Sequence, residues 1–456
     1  MHQPVTRSSS PIAVIGAGVA GLCAAKFLLQ EGFDVVVYEM GSQIGGMWCY
    51  MNDNGRSSAY RTLHINTAKS LTRFSDYPFK DEIQTFPDHW EVHAYLEGYT
   101  DHFDIRRHIR FNQHVTAITP RFEADRPAPR WQVRTNAGDI QEFETVVVAT
   151  GHLYLPRHVP EFRDFRGQYL HSHDYKQPEP FVGKRICIVG VGNSAVDIAS
   201  DVCVTADRTV LVARSGVVIA PKQVFGMPLT NISEKLNHRW VPARLRQKIL
   251  GNLIRMVHGN MSDYGFKPVT KPVHPTSSGS VIHDIAYDRI TVKQGIDRID
   301  AQTIHFVDGS EETFDVLIGA TGYDIELPFL SPEIVPVEDG AIDLYKRMVP
   351  PDWPGLYFVG FIQPNTGLPR AFETQCRWLT EHVSGRAALP TPSIMRDDIA
   401  AKNAWIADTF HTSPRHRLEE DFLRYADELR RDAREGRRRR KSAPPQSGSP
   451  SQDAAE

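Results

Sequence analysis

The sequence predicts an α/β fold made of two Rossmann-like dinucleotide-binding units, the second inserted into the first. Three observations lead there. A glycine fingerprint, Gly16-Ala17-Gly18-Val19-Ala20-Gly21, follows the apolar run Ile12 to Ile15, and a second, Gly190-Val191-Gly192-Asn193-Ser194-Ala195, follows Ile186 to Val189. Each leads, at nearly the same distance, to an apolar stretch ending in Ala-Thr-Gly, at Val146 to Gly151 and at Leu317 to Gly322. Beyond that point the chain runs on from Tyr323 to Leu429, long enough to return to the first unit. One GxGxxG is weak evidence. Two copies with matching closing strands argue for duplication.

The elements follow in order. The strand Ile12 to Ile15, a glycine turn, a helix over Leu22 to Gln30, Gly32 and the strand Val35 to Tyr38 form an opening βαβ unit. Residues 41–109 break this alternation and are rich in aromatic and polar side chains, so they are expected to pack around a ligand. Arg130 to Ala149 alternates as a β-meander with a turn at Asn136 to Asp139. A linker from Leu153 to Val182 leads to the second unit, which closes with strands from Ile290 to Thr321 that turn at Asp308-Gly309. The segment 223–275 reads as a lid or a helical insertion, since Val241 to Val257 has helical periodicity. The expected boundaries are 11–170 and 321–430 for the first domain, 176–320 for the second, and a disordered tail over 437–456. The tail's basic run, Arg437 to Lys441, reads as a solvated segment rather than a nucleic-acid patch.

Composition bounds the function. At 456 residues the chain has room for two or three domains with real cores. A formal net charge of −3 gives no reason to expect nucleic acid or membrane as a partner. The polar N-terminus lacks a signal-peptide core, and no apolar run is long enough to span a bilayer. Five scattered cysteines without a CxxC pair favour neither a disulfide framework nor a redox dithiol, so a reduced cytoplasmic setting is the default. A homodimer is the default assembly for a soluble oligomer.

Each fingerprint implies a ligand. Backbone N–H groups at a glycine turn approach a pyrophosphate, and the helix dipole favours its charge. In the first unit the strand after the helix ends at Glu39, whose carboxylate accepts from ribose hydroxyls and repels a 2′-phosphate; this fits FAD or NAD(H). Gly45-Gly46 ahead of Met47 and Trp48 lets backbone approach a flavin with Trp48 as a wall, which favours FAD. In the second unit the corresponding strand ends at Arg214-Ser215, and a guanidinium there suits the 2′-phosphate of NADPH. The fold is thus expected to be an NADP domain inserted in an FAD domain.

At this point the sequence resembles the flavin-containing monooxygenases. Their linker signature, FxGxxxHxxx(F/W/Y), stands as Phe165, Gly167, His171 and Tyr175. Tyr60, Leu63, Asn66 and Lys69 match YxxLxxNxxK, and Asp76 to Phe79 resembles a DxPF segment. Gly192-Asn193-Ser194-Ala195-Val196-Asp197 resembles GNSGxD with Ala195 where glycine is usual. Thr321-Gly322-Tyr323, Gly360 to Pro364 and Glu373 to Trp378 resemble further family segments, in family order. Tyr175-Lys176 departs from the Trp usual in Baeyer–Villiger oxygenases, and no apolar carboxyl-terminal anchor of the microsomal members is present.

The resemblance implies that NADPH reduces FAD, that the reduced flavin takes up O₂ as a C4a-hydroperoxide, and that a soft nucleophile, an amine or thioether, receives one oxygen. It implies Asn66 as the catalytic residue, beside flavin and nicotinamide, with Thr67 and Tyr60 as further cofactor contacts. Lys69 is an NADP-framing candidate with an equal packing reading. His171 reads as a domain-coupling residue, Cys376 as packing, and no histidine spacing indicates a metal. A Baeyer–Villiger oxygenase, a disulfide reductase and a non-catalytic redox sensor are the competing readings.

Overall fold

The computed structural model describes residues 10–126, 128–237, 241–270, 275–338, 340–409 and 417–442. Nine helices are described: α1 (Val19–Gln30), α2 (His89–His102), α3 (Asn193–Val202), α4 (Leu229–Leu236), α5 (Ala243–His258), α6 (Val281–Ala286), α7 (Leu368–Val383), α8 (Pro392–Thr409) and α9 (Phe422–Ser442).

The duplication extends to strand order. The first sheet runs, edge to edge, through strands 356–358, 145–148, 12–15, 35–38 and 109–110, all parallel. The second runs through 168–171, 316–319, 185–189, 208–212 and 291–293, again all parallel. In both, the strand before the glycine turn is central and lies next to the Ala-Thr-Gly strand. Both central strands are near-continuous apolar runs, as burial on two faces requires. Each unit also carries a three-stranded antiparallel meander, over 115–143 in the first and 296–313 in the second. The strand Leu356–Phe358 joins the first sheet after the whole second sheet has formed, so the chain does return.

Two boundaries differ from the sequence reading. The linker strand Gln168–His171 pairs with Val316–Gly319, so the second sheet begins before residue 176. At the other end, Arg437 to Lys441 are not in an irregular tail but on α9, which continues to Ser442. Arg437 pairs with Glu381 and Arg439 donates to the Ala388 carbonyl, and these contacts hold the last turns in place. Residues 443–456 of the expected tail lie outside the described residues.

Three cores result. Two flank the first sheet and include α1, α2, α7 and α9 on one side and the meander on the other. The third, around α3 and the second sheet, also takes in Tyr60 and half-buried Leu63 from the first unit's irregular segment. No helix among the described residues is long and apolar enough to cross a membrane.

Candidate active site

The first cradle is built from backbone. Gly18 caps α1 with no side-chain hydrogen bond, so the N–H groups of its first turn remain open to a ligand. The short turn Gly46–Trp48 folds against it: a Cβ on Gly46 would stand 3.2 Å from the Gly18 Cα. Met47 and Trp48 are half-buried, and the Met47 carbonyl accepts from the Ser57 hydroxyl at 2.8 Å. Ala17 is buried behind the turn, and Ala20 packs against Gly360. Gly360 in turn donates its N–H to Gln375 Oε1 at 3.0 Å, which ties the return segment to the fingerprint. Glu39 is buried at the end of its strand. Its Oε2 accepts from the Ala17 N–H (2.8 Å), and its Oε1 from the Gly41 N–H (2.9 Å) and Asn54 Nδ2 (3.1 Å). These donors offset the cost of burying the carboxylate beside the glycine loop.

The second cradle has the same plan, with Gly192 capping α3 and no side chain occupying the cap. The side chains around it have other work. Asn193 Oδ1 accepts from the Ser277 N–H at 3.0 Å. Ala195 and Val196 are fully buried in the core, and Ser194 is half-buried. Arg214 and Ser215 are exposed just past the strand Arg208–Val212, and the Arg214 guanidinium has no hydrogen bond or ion pair among the described residues.

Between the cradles lies the segment 57–72. Asn66 Oδ1 is buried and has no hydrogen-bond partner. Thr67 and Thr72 hydroxyls contact each other. Lys69 does not face a ligand: its ammonium caps the carbonyls of Lys80, Asp81 and Ile83. Tyr60, expected at a cofactor, is buried with its hydroxyl donated to Asp197 Oδ2 at 2.8 Å. Asp197, expected in the glycine turn's ligand set, is thereby directed at Tyr60. Burial raises the Asp197 pKa to about 6, against the lowering effect of Tyr60 and Lys222.

The insertion after the second strand lies across this segment. On α4, Thr230 Oγ1 accepts from the Ala68 N–H at 3.3 Å and Asn231 Oδ1 accepts from Ser70 at 2.8 Å. The ion pairs Arg370–Glu234 (2.5 Å) and Arg246–Asp421 (3.0 Å) fasten α4 and α5 to the first unit. Neither Thr230 nor Asn231 was visible as a site residue. Thr150 and His152, at the end of the first Ala-Thr-Gly strand, were also missed. Thr150 Oγ1 and His152 Nδ1 are buried without partners, and burial pushes His152 down to about 4. The signal was present, since the Ala-Thr-Gly repeat marks the carboxyl end of the sheet, where ligands bind. His171 is fully buried and likewise held near 4, by burial and the nearby His158, so it is neutral. It receives the His173 N–H at 3.1 Å and packs against Tyr323, a structural role. Cys376 is fully buried against Cys23.

Comparison with known proteins decides what this geometry belongs to. A family model described as flavin-binding monooxygenase-like matches residues 9–434. The chain belongs to that family. This flavin monooxygenase is 34% identical over 439 residues to flavin-containing monooxygenase 5 of Homo sapiens, spanning 92% of this chain and 81% of the relative. It is 31% identical over 441 residues to dimethylaniline monooxygenase [N-oxide-forming] 2 of Mus musculus, with the same coverage of 92% and 81%. Among solved structures it resembles S-allyl-L-cysteine S-oxygenase from Allium sativum, with a TM-score of 0.71, 26% identity, and 94% and 89% of the two chains covered. An open structure of cyclohexanone monooxygenase shares the fold, with a TM-score of 0.68 and 20% identity over 94% and 98% of the chains. The enzyme is therefore an FAD- and NADPH-dependent monooxygenase, and its substrates are O₂ and a small molecule.

Proposed function

We propose that this enzyme transfers one atom of O₂ to the nitrogen or sulfur of a small, soft nucleophile. The observation that carries the reading is Asn66: a buried amide oxygen without a protein partner, on the segment between two open glycine cradles. Leaving such a group unmet costs about 1–3 kcal/mol, a cost that a cofactor hydrogen-bonded to Oδ1 would offset. The relative from Mus musculus is named for N-oxide formation and the Allium sativum protein for S-oxygenation, and both support a heteroatom over a ketone.

The residues fit the cofactors. The uncapped N–H groups of the first turn of α1, just beyond Gly18, would hold the FAD pyrophosphate, with Glu39 at the ribose. The Gly46–Gly18 approach leaves no side chain between backbone and ligand, and Met47 and Trp48 would wall the flavin. The turn at Gly190 and Gly192 would hold the NADPH pyrophosphate, and Arg214 its 2′-phosphate. The chemistry supplied by the bound pair is hydride transfer from NADPH to FAD and activation of O₂ by the reduced flavin. The protein orients. The Asn66 amide can accept through Oδ1 and donate through Nδ2, and so can fix a ring carboxamide or a flavin edge. α4 is seated on the same segment at Ala68 and Ser70.

Labelled O₂ tests the reading. Enzyme, NADPH and a panel of amines, thioethers and ketones are expected to give N-oxides or S-oxides that carry one labelled atom. A labelled ester from a ketone alone would establish the Baeyer–Villiger alternative, and hydrogen peroxide without any product would remove both. Arg214→Ala is expected to raise the KM for NADPH roughly ten- to hundred-fold, as loss of a charge-assisted hydrogen bond worth about 1.5–3 kcal/mol requires. The KM for NADH is expected to stay unchanged. An equal loss for both nucleotides would show that Arg214 does not read the 2′-phosphate.

A further inference from the structure

We propose that Tyr60 and Asp197 form a positioning pair that sets the register between the two dinucleotide units, and through it the placement of Asn66. This rests on the monooxygenase reading above, in which Asn66 meets both cofactors.

The Tyr60 side chain belongs to the first unit by sequence and to the second by packing. Its ring sits in the core built around α3, edge-on to Tyr175 at 5.9 Å. Its hydroxyl reaches Asp197 Oδ2 at 2.8 Å. One helical turn further on, Asp201 Oδ2 accepts from the Thr62 hydroxyl at 2.8 Å and from the Tyr175 hydroxyl at 2.6 Å. Residues four apart share a face of a helix, so one flank of α3 grips segment 60–62 while its N-terminus is the second glycine cradle.

The linker closes the other side. Arg61 N–H donates to the Lys176 carbonyl at 2.8 Å, and the Lys176 ammonium donates to the carbonyls of Ser57 (2.9 Å) and Ala59 (3.3 Å). From Tyr60 to Asn66 the chain is held throughout. Leu63 N–H donates to the Tyr60 carbonyl at 2.9 Å, His89 N–H to the Leu63 carbonyl at 3.0 Å and Ile65 N–H to the Pro87 carbonyl at 2.9 Å. A shift of α3 against the first unit must therefore be passed along this braced segment toward Asn66. Packing alone would need only the Tyr60 ring. The hydroxyl's buried partner is a carboxylate, and a hydrogen bond to a charged acceptor is both strong and directional, which is what register requires and core filling does not.

Tyr60→Phe keeps the ring and removes the bond. FAD content and the melting temperature are expected to stay close to wild type. In cofactor-free protein, amide hydrogen exchange over 57–66 is expected to quicken several-fold. At saturating NADPH, flavin reduction is expected to slow about tenfold, and a larger share of NADPH is expected to end as hydrogen peroxide. Asp197→Asn retains an acceptor oxygen but loses its charge and is expected to reduce at a rate between wild type and Tyr60→Phe, while Asp197→Ala behaves as Tyr60→Phe. Wild-type exchange, or wild-type reduction and coupling, in Tyr60→Phe would overturn the pairing. A wild-type enzyme that oxygenates no substrate, with reduction still slowed in Tyr60→Phe, would overturn the proposed function and leave the pair standing.

Discussion

Gly190→Ala is expected to leave FAD bound and to abolish its reduction by NADPH. Gly190 has a φ of +131°, which an L side chain tolerates poorly. A Cβ built there would stand 2.2 Å from the Ala320 carbonyl oxygen and 3.0 Å from its carbon. Both are backbone atoms and cannot rotate aside. Nor can the strands drift, because Gly190 N–H donates to the Val212 carbonyl at 3.0 Å and Ala320 N–H to the Val189 carbonyl at 2.8 Å. The turn itself must move, and with it the uncapped start of α3. A misplacement of about 1 Å at such a site costs roughly a hundredfold, and the clash demands more than that. The first cradle lies on the other sheet and keeps its own strands. Stopped-flow absorbance settles the matter: the variant is expected to show a full flavin spectrum that dithionite bleaches and NADPH does not. Reduction by NADPH at the wild-type rate would mean that the second glycine turn does not hold the NADPH pyrophosphate, and loss of the flavin spectrum would mean that the two units do not fold independently.

The doubled plan was legible because it is written in patterns that depend only on the backbone. Glycine turns, apolar central strands and Ala-Thr-Gly ends recur at matched distances, and each marks a place where chain meets chain or ligand. What escaped was decided by distant partners. Gln168–His171 reads as linker because its residues are mixed and it is an edge strand, half covered. Tyr60 finds its acceptor 137 residues away, and no spacing rule points a phenol at a particular carboxylate. Lys69 matched a motif, yet its ammonium is spent on three carbonyls. α4 was hidden because the residues that seat it, Thr230 and Asn231, are types common in turns. The end of α9 was misread from composition. Arginine is a good helix former, and Gly436 lets the helix pass close to Ala387, where a larger residue would meet its Cβ at 2.9 Å.

Asn66→Ala is expected to consume NADPH at a rate within a few-fold of wild type while most of the oxygen leaves as hydrogen peroxide. The fold around Asn66 does not depend on its side chain. Ile65 and Lys69 N–H groups hold the carbonyls of Pro87 and Thr85, both at 2.9 Å, and the Lys69 ammonium braces the same stretch. Asn66 Oδ1 itself bonds to nothing in the protein. Its removal therefore breaks no hydrogen bond of Oδ1 within the protein, and FAD content should not fall. Removing one preorganised hydrogen-bonding group at a reacting centre costs about 10²–10³ in the step it serves. If oxygen transfer to substrate loses that factor while reduction of the flavin does not, the competing release of peroxide takes over. Paired measurement of NADPH oxidised, O₂ consumed, peroxide formed and product formed would show the switch directly. Asn66→Asp then divides the amide into its halves. It keeps an acceptor and loses the Nδ2 donor, so coupling that survives in Asp but not in Ala assigns the role to the orphaned oxygen. Collapse in both assigns it to the donor, and full coupling in both would remove Asn66 from the chemistry.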